Sequence, residues 1–200
     1  MKQECEKGEY SEMVDVFHGI HLSQLQSLDF ETTYSTKAEQ FNIINLAITD
    51  EEDNSFETLQ ECFDFYVKGE ILDGENQWYN EDEQRKMVVQ RTISYWSLPQ
   101  ILVIDLKRYN ERYQKTRTLI TFPLMDWDLS KYAVNGRKYI YDLYAVCNHS
   151  GVVLGGHYTA FVVNSNGSWY EFDDGLITKI SNPESIISTK AYCLFYRKRE

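Results

Sequence analysis

Two runs rich in β-branched and aromatic residues, Tyr158 to Asn164 and Ser168 to Phe172, flank the pair Asn166-Gly167. Asn-Gly between two such runs is a strong hairpin signal, because both residues accept the positive φ of a tight turn. A hairpin makes the runs antiparallel and so restricts what their ends can meet. His157 immediately precedes the first run, and Asp173 immediately follows the second, sixteen positions later. Antiparallel pairing can bring that carboxylate to that imidazole. A carboxylate accepting from one ring nitrogen orients the ring, favours its protonated form and leaves the other nitrogen to take a proton. The plainer readings are a hydrogen-bonded structural histidine and a turn at Asp173-Asp174-Gly175.

The rest of the chain agrees with a strand-rich fold. Met13 to Ile20 reads as an apolar lead-in ending in a glycine turn, and Gln40 to Ile48 as a mostly buried strand. A helix is expected near 55–68. Asn54 or Ser55 can cap it, Leu59, Cys62, Phe63, Tyr66 and Val67 form its apolar stripe, and Gly69 ends it. Lys86 to Trp96, Ile101 to Leu106, Tyr139 to Cys147 and Ala191 to Arg197 read as further strands. Strands in succession with one early helix point to an α+β fold with a largely antiparallel sheet.

Composition excludes several function classes. A net charge of −11 argues against nucleic acid, since phosphate needs Lys/Arg patches. An acidic surface serves solubility and also suits a basic partner. The charged start M-K-Q-E-C-E-K-G-E has no apolar h-region, and no run approaches the ~18 apolar residues of a membrane span. Cys5, Cys62, Cys147 and Cys193 are widely spaced with no C-x-x-C pair. The expectation is an intracellular protein, cytoplasmic and/or nuclear, with reduced thiols and no membrane partner.

A base and its orienter call for a nucleophile. His149 and His157 could serve serine, cysteine or water. There is no G-x-S-x-G elbow and no H-E-x-x-H or other compact ligand cluster, so no metal and no other cofactor is expected. Cys62 lies on the apolar stripe of the helix, and Cys147 and Cys193 lie inside apolar strands, where a thiol is a small hydrophobe rather than a thiolate. Cys5 sits among glutamates, which disfavour the thiolate as well.

Several motifs then occur in one order. V-F-H-G at 16–19 is followed by L-P-Q-I-L-V-I-D-L-K-R-Y at 98–109, F-P-L and D-L-S-K-Y within 122–132, and Y-D-L-Y-A-V-C-N-H-S-G at 141–151. G-G-H-Y-T-A-F and W-Y-E-F-D-D close the series at 155–161 and 169–174. Together they resemble the ubiquitin-specific protease family of cysteine deubiquitinases. The resemblance implies the papain-like superfamily, with an antiparallel palm sheet and β-rich fingers. It covers 14–198 as a partial catalytic domain, with a fingers region at about 14–97, a palm at about 98–198, and 1–13 as an N-terminal extension. It also implies roles. His157 matches the general base, Asp173 its orienter, and Asp174 an adjacent polar position that assists. Tyr109 and Tyr158 match the aromatic walls of a narrow channel for the Gly-Gly tail of ubiquitin. Gly155 and Gly156 belong to that substrate channel, and residues 151–156 match a mobile loop beside it.

The sequence departs from the family pattern twice. The cysteine box, of the kind G-N-T-C-Y-x-N, and the following Q-D-A-x-E-F segment do not occur in these 200 residues. Their absence removes the nucleophile and the oxyanion donor of a thumb lobe, so this chain alone is expected to be inactive. The implied partners are ubiquitin or a ubiquitin-conjugated protein, and a separate thumb-containing chain. A non-catalytic ubiquitin-binding pseudoenzyme is the other expectation. Second, the zinc-binding cysteines of the fingers correspond to Ser27, Phe30, Asn80 and Glu83, so no zinc is expected there. Phe30, Trp78 and Tyr79 are expected to fill the fingertip instead.

Overall fold

The computed structural model describes residues 11–110 and 112–200; Cys5 and most of the 1–13 extension lie outside them. The chain begins with helix α1 (Glu12–Phe17), then strands β1 (Gly19–Gln26), β2 (Thr33–Phe41) and β3 (Ile43–Ala47). Helix α2 (Leu59–Lys68) leads into β4 (Glu70–Leu72), β5 (Trp78–Asn80), β6 (Arg85–Met87) and β7 (Val89–Ser97). The remaining strands are β8 (Ile101–Lys107), β9 (Trp127–Asp128), β10 (Ile140–Val152), β11 (Gly155–Val163), β12 (Trp169–Asp173), β13 (Leu176–Lys179) and β14 (Ala191–Lys198).

These strands form a four-stranded sheet in the order β2-β1-β7-β4 and a larger one in the order β13-β12-β11-β10-β14-β8-β3, with β9 paired to β10. The β5–β6 hairpin stands apart from both. All pairings are antiparallel except β3 with β8. The α+β expectation with a largely antiparallel sheet is therefore met. One core joins the two halves: Phe63 of α2 contacts Tyr95 of β7 and Trp127 of β9, with ring centroids 5.8 Å and 5.5 Å apart. Strand β3 lies within the 14–97 segment yet pairs with β8 of the larger sheet.

Local chemistry explains where boundaries differ from expectation. The α2 cap is Thr58, not Asn54 or Ser55. The Thr58 hydroxyl accepts from Glu61 N while the Glu61 carboxylate accepts from Thr58 N, a reciprocal capping box. The Asn54 amide is engaged with Asp50, and the Ser55 hydroxyl with Thr118. Gly69 does end the helix. Its φ is 70°, and a Cβ there would fall 1.8 Å from the Arg91 carbonyl oxygen. Gly19 is no turn. It opens β1, where a Cβ would sit 2.6 Å from both the Phe41 ring and the Ser97 carbonyl. The expected strand at 40–48 is broken at Asn42, because its two halves join different sheets. Strands β1 and β2 escaped pattern reading because one face is a polar ladder. The Thr92 hydroxyl donates to Gln26 Oε1 at 2.9 Å, and Gln24 Nε2 donates to the Thr36 hydroxyl.

The fingertip is filled differently from the expectation. Trp78 packs on Tyr34 at 5.6 Å, whereas Phe30 and Tyr79 remain more than half exposed. At two of the four aligned positions, Ser27 and Asn80, polar side chains engage the turns directly. The Asn80 amide oxygen accepts from the backbone N–H of Asp82 and Glu83, and the Ser27 hydroxyl accepts from Thr32 N. Side-chain oxygens thus occupy amides that turns of this shape leave unpaired.

Arg108, directly after β8, is fully buried. Its Nε donates to the Ala191 carbonyl at 2.5 Å, and its Nη1 donates to the carbonyls of Thr118 at 2.9 Å and Thr116 at 3.3 Å. One guanidinium thereby ties the end of β8, the start of β14 and the 116–118 segment. Lysine cannot reproduce that planar fork. Arg108→Lys is expected to cost about 2–3 kcal/mol, from lost charge-assisted bonds to buried carbonyls. Urea unfolding checks this, and a wild-type midpoint would contradict it.

Candidate active site

Strands β10, β11 and β12 are consecutive neighbours, and the site lies at one end of them. Along β10–β11 the register pairs Asn148 with Thr159, His149 with Tyr158, Ser150 with His157, Gly151 with Gly156, and Val152 with Gly155. Along β11–β12 it pairs Ala160 with Phe172 and Val163 with Trp169. The 164–168 turn closes as expected, with Asn164 N donating to the Ser168 carbonyl and Gly167 at φ 76°. Continuing that register past Phe172 brings Asp173 back toward His157.

His157 Nε2 lies 2.5 Å from Asp173 Oδ1, and both side chains are about half exposed (50 % and 43 %). The bond engages Nε2 and leaves Nδ1 without a partner among the described residues. That bond and the Asp173 charge raise the His157 pKa, with a smaller contribution from Asp174. Asp174 makes no hydrogen bond to the ring. It occupies the turn into β13 with φ 49° and acts on His157 through its charge.

The predicted channel residues converge on a second imidazole. His149 is 5 % exposed. Tyr158 lies over it with centroids 4.6 Å apart, and Tyr192 and Tyr109 stand at 5.8 Å and 6.1 Å. The Tyr109 hydroxyl is 3.0 Å from His149 Nδ1. Gly156 must be glycine, because a Cβ there would fall 2.2 Å from His149 Nε2. Gly155 differs, since a Cβ there would meet nothing within 4 Å. Residues 151–156 are the paired ends of β10 and β11, joined through Val153-Leu154, with Gly151 at φ 116°.

Two contributors were not legible. Lys115 reaches His149 from the loop after β8, and Tyr192 reaches it from β14. Neither sits in a local pattern around His149, and only the strand order brings them there. His149 itself was a candidate base, but burial and the Lys115 charge lower its pKa, the opposite of His157.

Among the described residues, no thiol is poised for attack. Burial pushes Cys62 and Cys193 up to about 12 and raises Cys147 as well. Metal-ligating atoms of His157, Asp173 and Asp174 lie within 4.8 Å of one another. A closed structural zinc site takes four ligands, and the bond between base and carboxylate already accounts for this grouping. No described helix is long and apolar enough to cross a membrane.

A raised histidine pKa also carries a stability consequence. The pair adds stability below the ordinary histidine range, and that contribution is lost as pH rises through the folded-state pKa. Asp173→Asn should lower the His157 midpoint in an NMR titration. An unchanged midpoint would mean that the carboxylate does not govern the ring.

The chain is similar to known proteins in sequence and in fold. The family profile described as ubiquitin carboxyl-terminal hydrolase matches residues 1–196. Ubiquitin carboxyl-terminal hydrolase 12 of Saccharomyces cerevisiae is 41 % identical over 149 residues, which are 71 % of this chain and 12 % of that protein. Ubiquitin carboxyl-terminal hydrolase 4 of Mus musculus is 33 % identical over 184 residues, 89 % of this chain and 19 % of that protein. Among solved structures, the SAGA DUB module of Ubp8, Sgf11, Sus1 and Sgf73 bound to monoubiquitin aligns with a TM-score of 0.79 at 28 % identity, covering 93 % of this chain and 41 % of that one. The same module bound to ubiquitin aldehyde gives 0.80 at 26 % identity, with 96 % and 44 % covered. The chain therefore spans 12 % to 19 % of these curated relatives and less than half of the matched structural chains.

Proposed function

The chain belongs to the ubiquitin carboxyl-terminal hydrolase family, and on that premise we propose that it carries the general base and orienter of a cysteine-type deubiquitinase. The observation that carries this reading is the His157 Nε2–Asp173 Oδ1 bond at 2.5 Å. Its direction matters. With Nε2 committed to the carboxylate, Nδ1 is the nitrogen that faces a nucleophile. In this reading Nδ1 takes the proton of a cysteine thiol, and Asp173 stabilises the resulting imidazolium. The thiolate attacks the isopeptide carbonyl. The imidazolium returns its proton to the leaving amine, and a thioester remains. Water, deprotonated by the same nitrogen, then releases the carboxylate product and restores the thiol.

The nucleophile in this proposal comes from outside these 200 residues. The raised thiols of Cys62, Cys147 and Cys193 support that assignment. The substrate is ubiquitin conjugated to a protein, with its tail running past Tyr109, Gly156 and Tyr158. The fingers meet the globular part of ubiquitin, and a thumb-containing partner chain supplies the thiol. The second reading is a non-catalytic ubiquitin-binding module, favoured by the same high thiol pKa values.

A ubiquitin vinyl-sulfone or propargyl probe tests the missing thiol. The chain is expected to remain unlabelled at every cysteine, and a covalent adduct at any of them would refute the assignment. Ubiquitin binding is tested separately by calorimetry or NMR titration. Weak binding is expected, and none at millimolar ubiquitin would reject recognition itself.

A further inference from the structure

His149 is nearly inaccessible, and the proposed reaction leaves it without a part. Its two ring nitrogens have different surroundings. Nδ1 lies 2.9 Å from Lys115 Nζ and 3.0 Å from the Tyr109 hydroxyl. The same Lys115 Nζ lies 2.5 Å from the His149 carbonyl oxygen. An ammonium can only donate. It bridges two atoms of one residue, and both must accept. Nδ1 is thus the bare nitrogen, and the single proton of the neutral ring sits on Nε2.

Nε2 has no hydrogen-bond partner among the described residues. It sits on the side of Gly156 where a side chain would begin, 2.2 Å from an ideal Cβ. Tyr109, Tyr158 and Tyr192 surround the rest of the ring. The outcome is a fixed N–H donor that itself fills the space where a Gly156 side chain would begin, on the strand beside His157 and one register position away from it.

We propose that Lys115 is a positioning residue that locks His149 as its Nε2–H tautomer, and that this N–H donates to a backbone carbonyl of the substrate tail. The second half rests on the reading that the tail passes Gly156 and Tyr158. A glycine tail has no side chains to recognise, and its repeated polar feature is the carbonyl. Gly156 allows a backbone to come close. Without Lys115, the Tyr109 hydroxyl can donate to Nδ1 or accept from it, so both tautomers are permitted. The wrong tautomer would set the lone pair of Nε2 against a carbonyl oxygen.

Long-range proton–nitrogen NMR of the histidine-labelled chain reads the tautomer directly. The wild type should carry its His149 proton on Nε2. Lys115→Met should give a mixture, while Lys115→Arg, which also only donates, should keep Nε2–H. Added ubiquitin should shift that N–H in the wild type and in the Lys115→Arg variant. Affinity should fall about tenfold with Lys115→Met, the worth of one lost hydrogen bond. Gly156→Ala, whose Cβ would take the space that Nε2 occupies, should abolish the shift. A wild-type proton on Nδ1 overturns the lock and needs no variant to fold. An unaltered tautomer in Lys115→Met overturns it too. Ubiquitin that perturbs other resonances but leaves Nε2–H unmoved overturns the donor role and leaves recognition standing. No binding at all defeats recognition, and the donor role with it.

Discussion

Arg108 brings a positive charge into the core, and its hydrogen bonds go to carbonyl oxygens rather than to a carboxylate. Burial works against that charge and lowers the Arg108 pKa. What the arrangement secures is geometry. The carbonyls of Thr116, Thr118 and Ala191 belong to segments that no sheet ladder joins. Thr116 N also donates back to the Arg108 carbonyl at 2.7 Å. The excursion between Arg108 and Thr116 is therefore pinned at both ends. Tyr109 and Lys115 are its first and last residues, and both reach the same nitrogen of His149. The environment of the site depends on this tether.

Two imidazoles on neighbouring strands have been given opposite characters. His157 is half exposed and bonded to a carboxylate, so its charged form is favoured. His149 is buried beside an ammonium, so its neutral form is favoured. In the proposed reaction the same side chain serves as a proton carrier in one setting and as a fixed dipole in the other. This separation of roles by environment recurs wherever one site needs both.

The β10–β11 hairpin serves both imidazoles. Its register places His149 opposite Tyr158 and Ser150 opposite His157, so a one-residue slip would turn each to the other face. The glycines at its end are not equivalent. Gly156 makes room for His149, and Gly151 has φ 116° and lies too close to the Gly155 carbonyl for a side chain. Gly155 has open space in front of it.

The sequence by itself determined the strand-rich α+β class, the hairpin around Asn166-Gly167, helix α2 with its stripe and its glycine end, and the pairing of His157 with Asp173. Each rests on interactions a few residues to one hairpin apart, which periodicity and turn chemistry report. The capping box Thr58-x-x-Glu61 is legible by the same logic, and it caps the helix in place of Asn54 and Ser55. Tertiary structure alone decided the division of 40–48 between two sheets, the burial of Arg108, and the meeting of Lys115, Tyr109 and Tyr192 around His149. Those contacts span 34 to 43 positions along the chain (149 − 115, 149 − 109, 192 − 149). Strand order sets them, and no local pattern records which strands become neighbours.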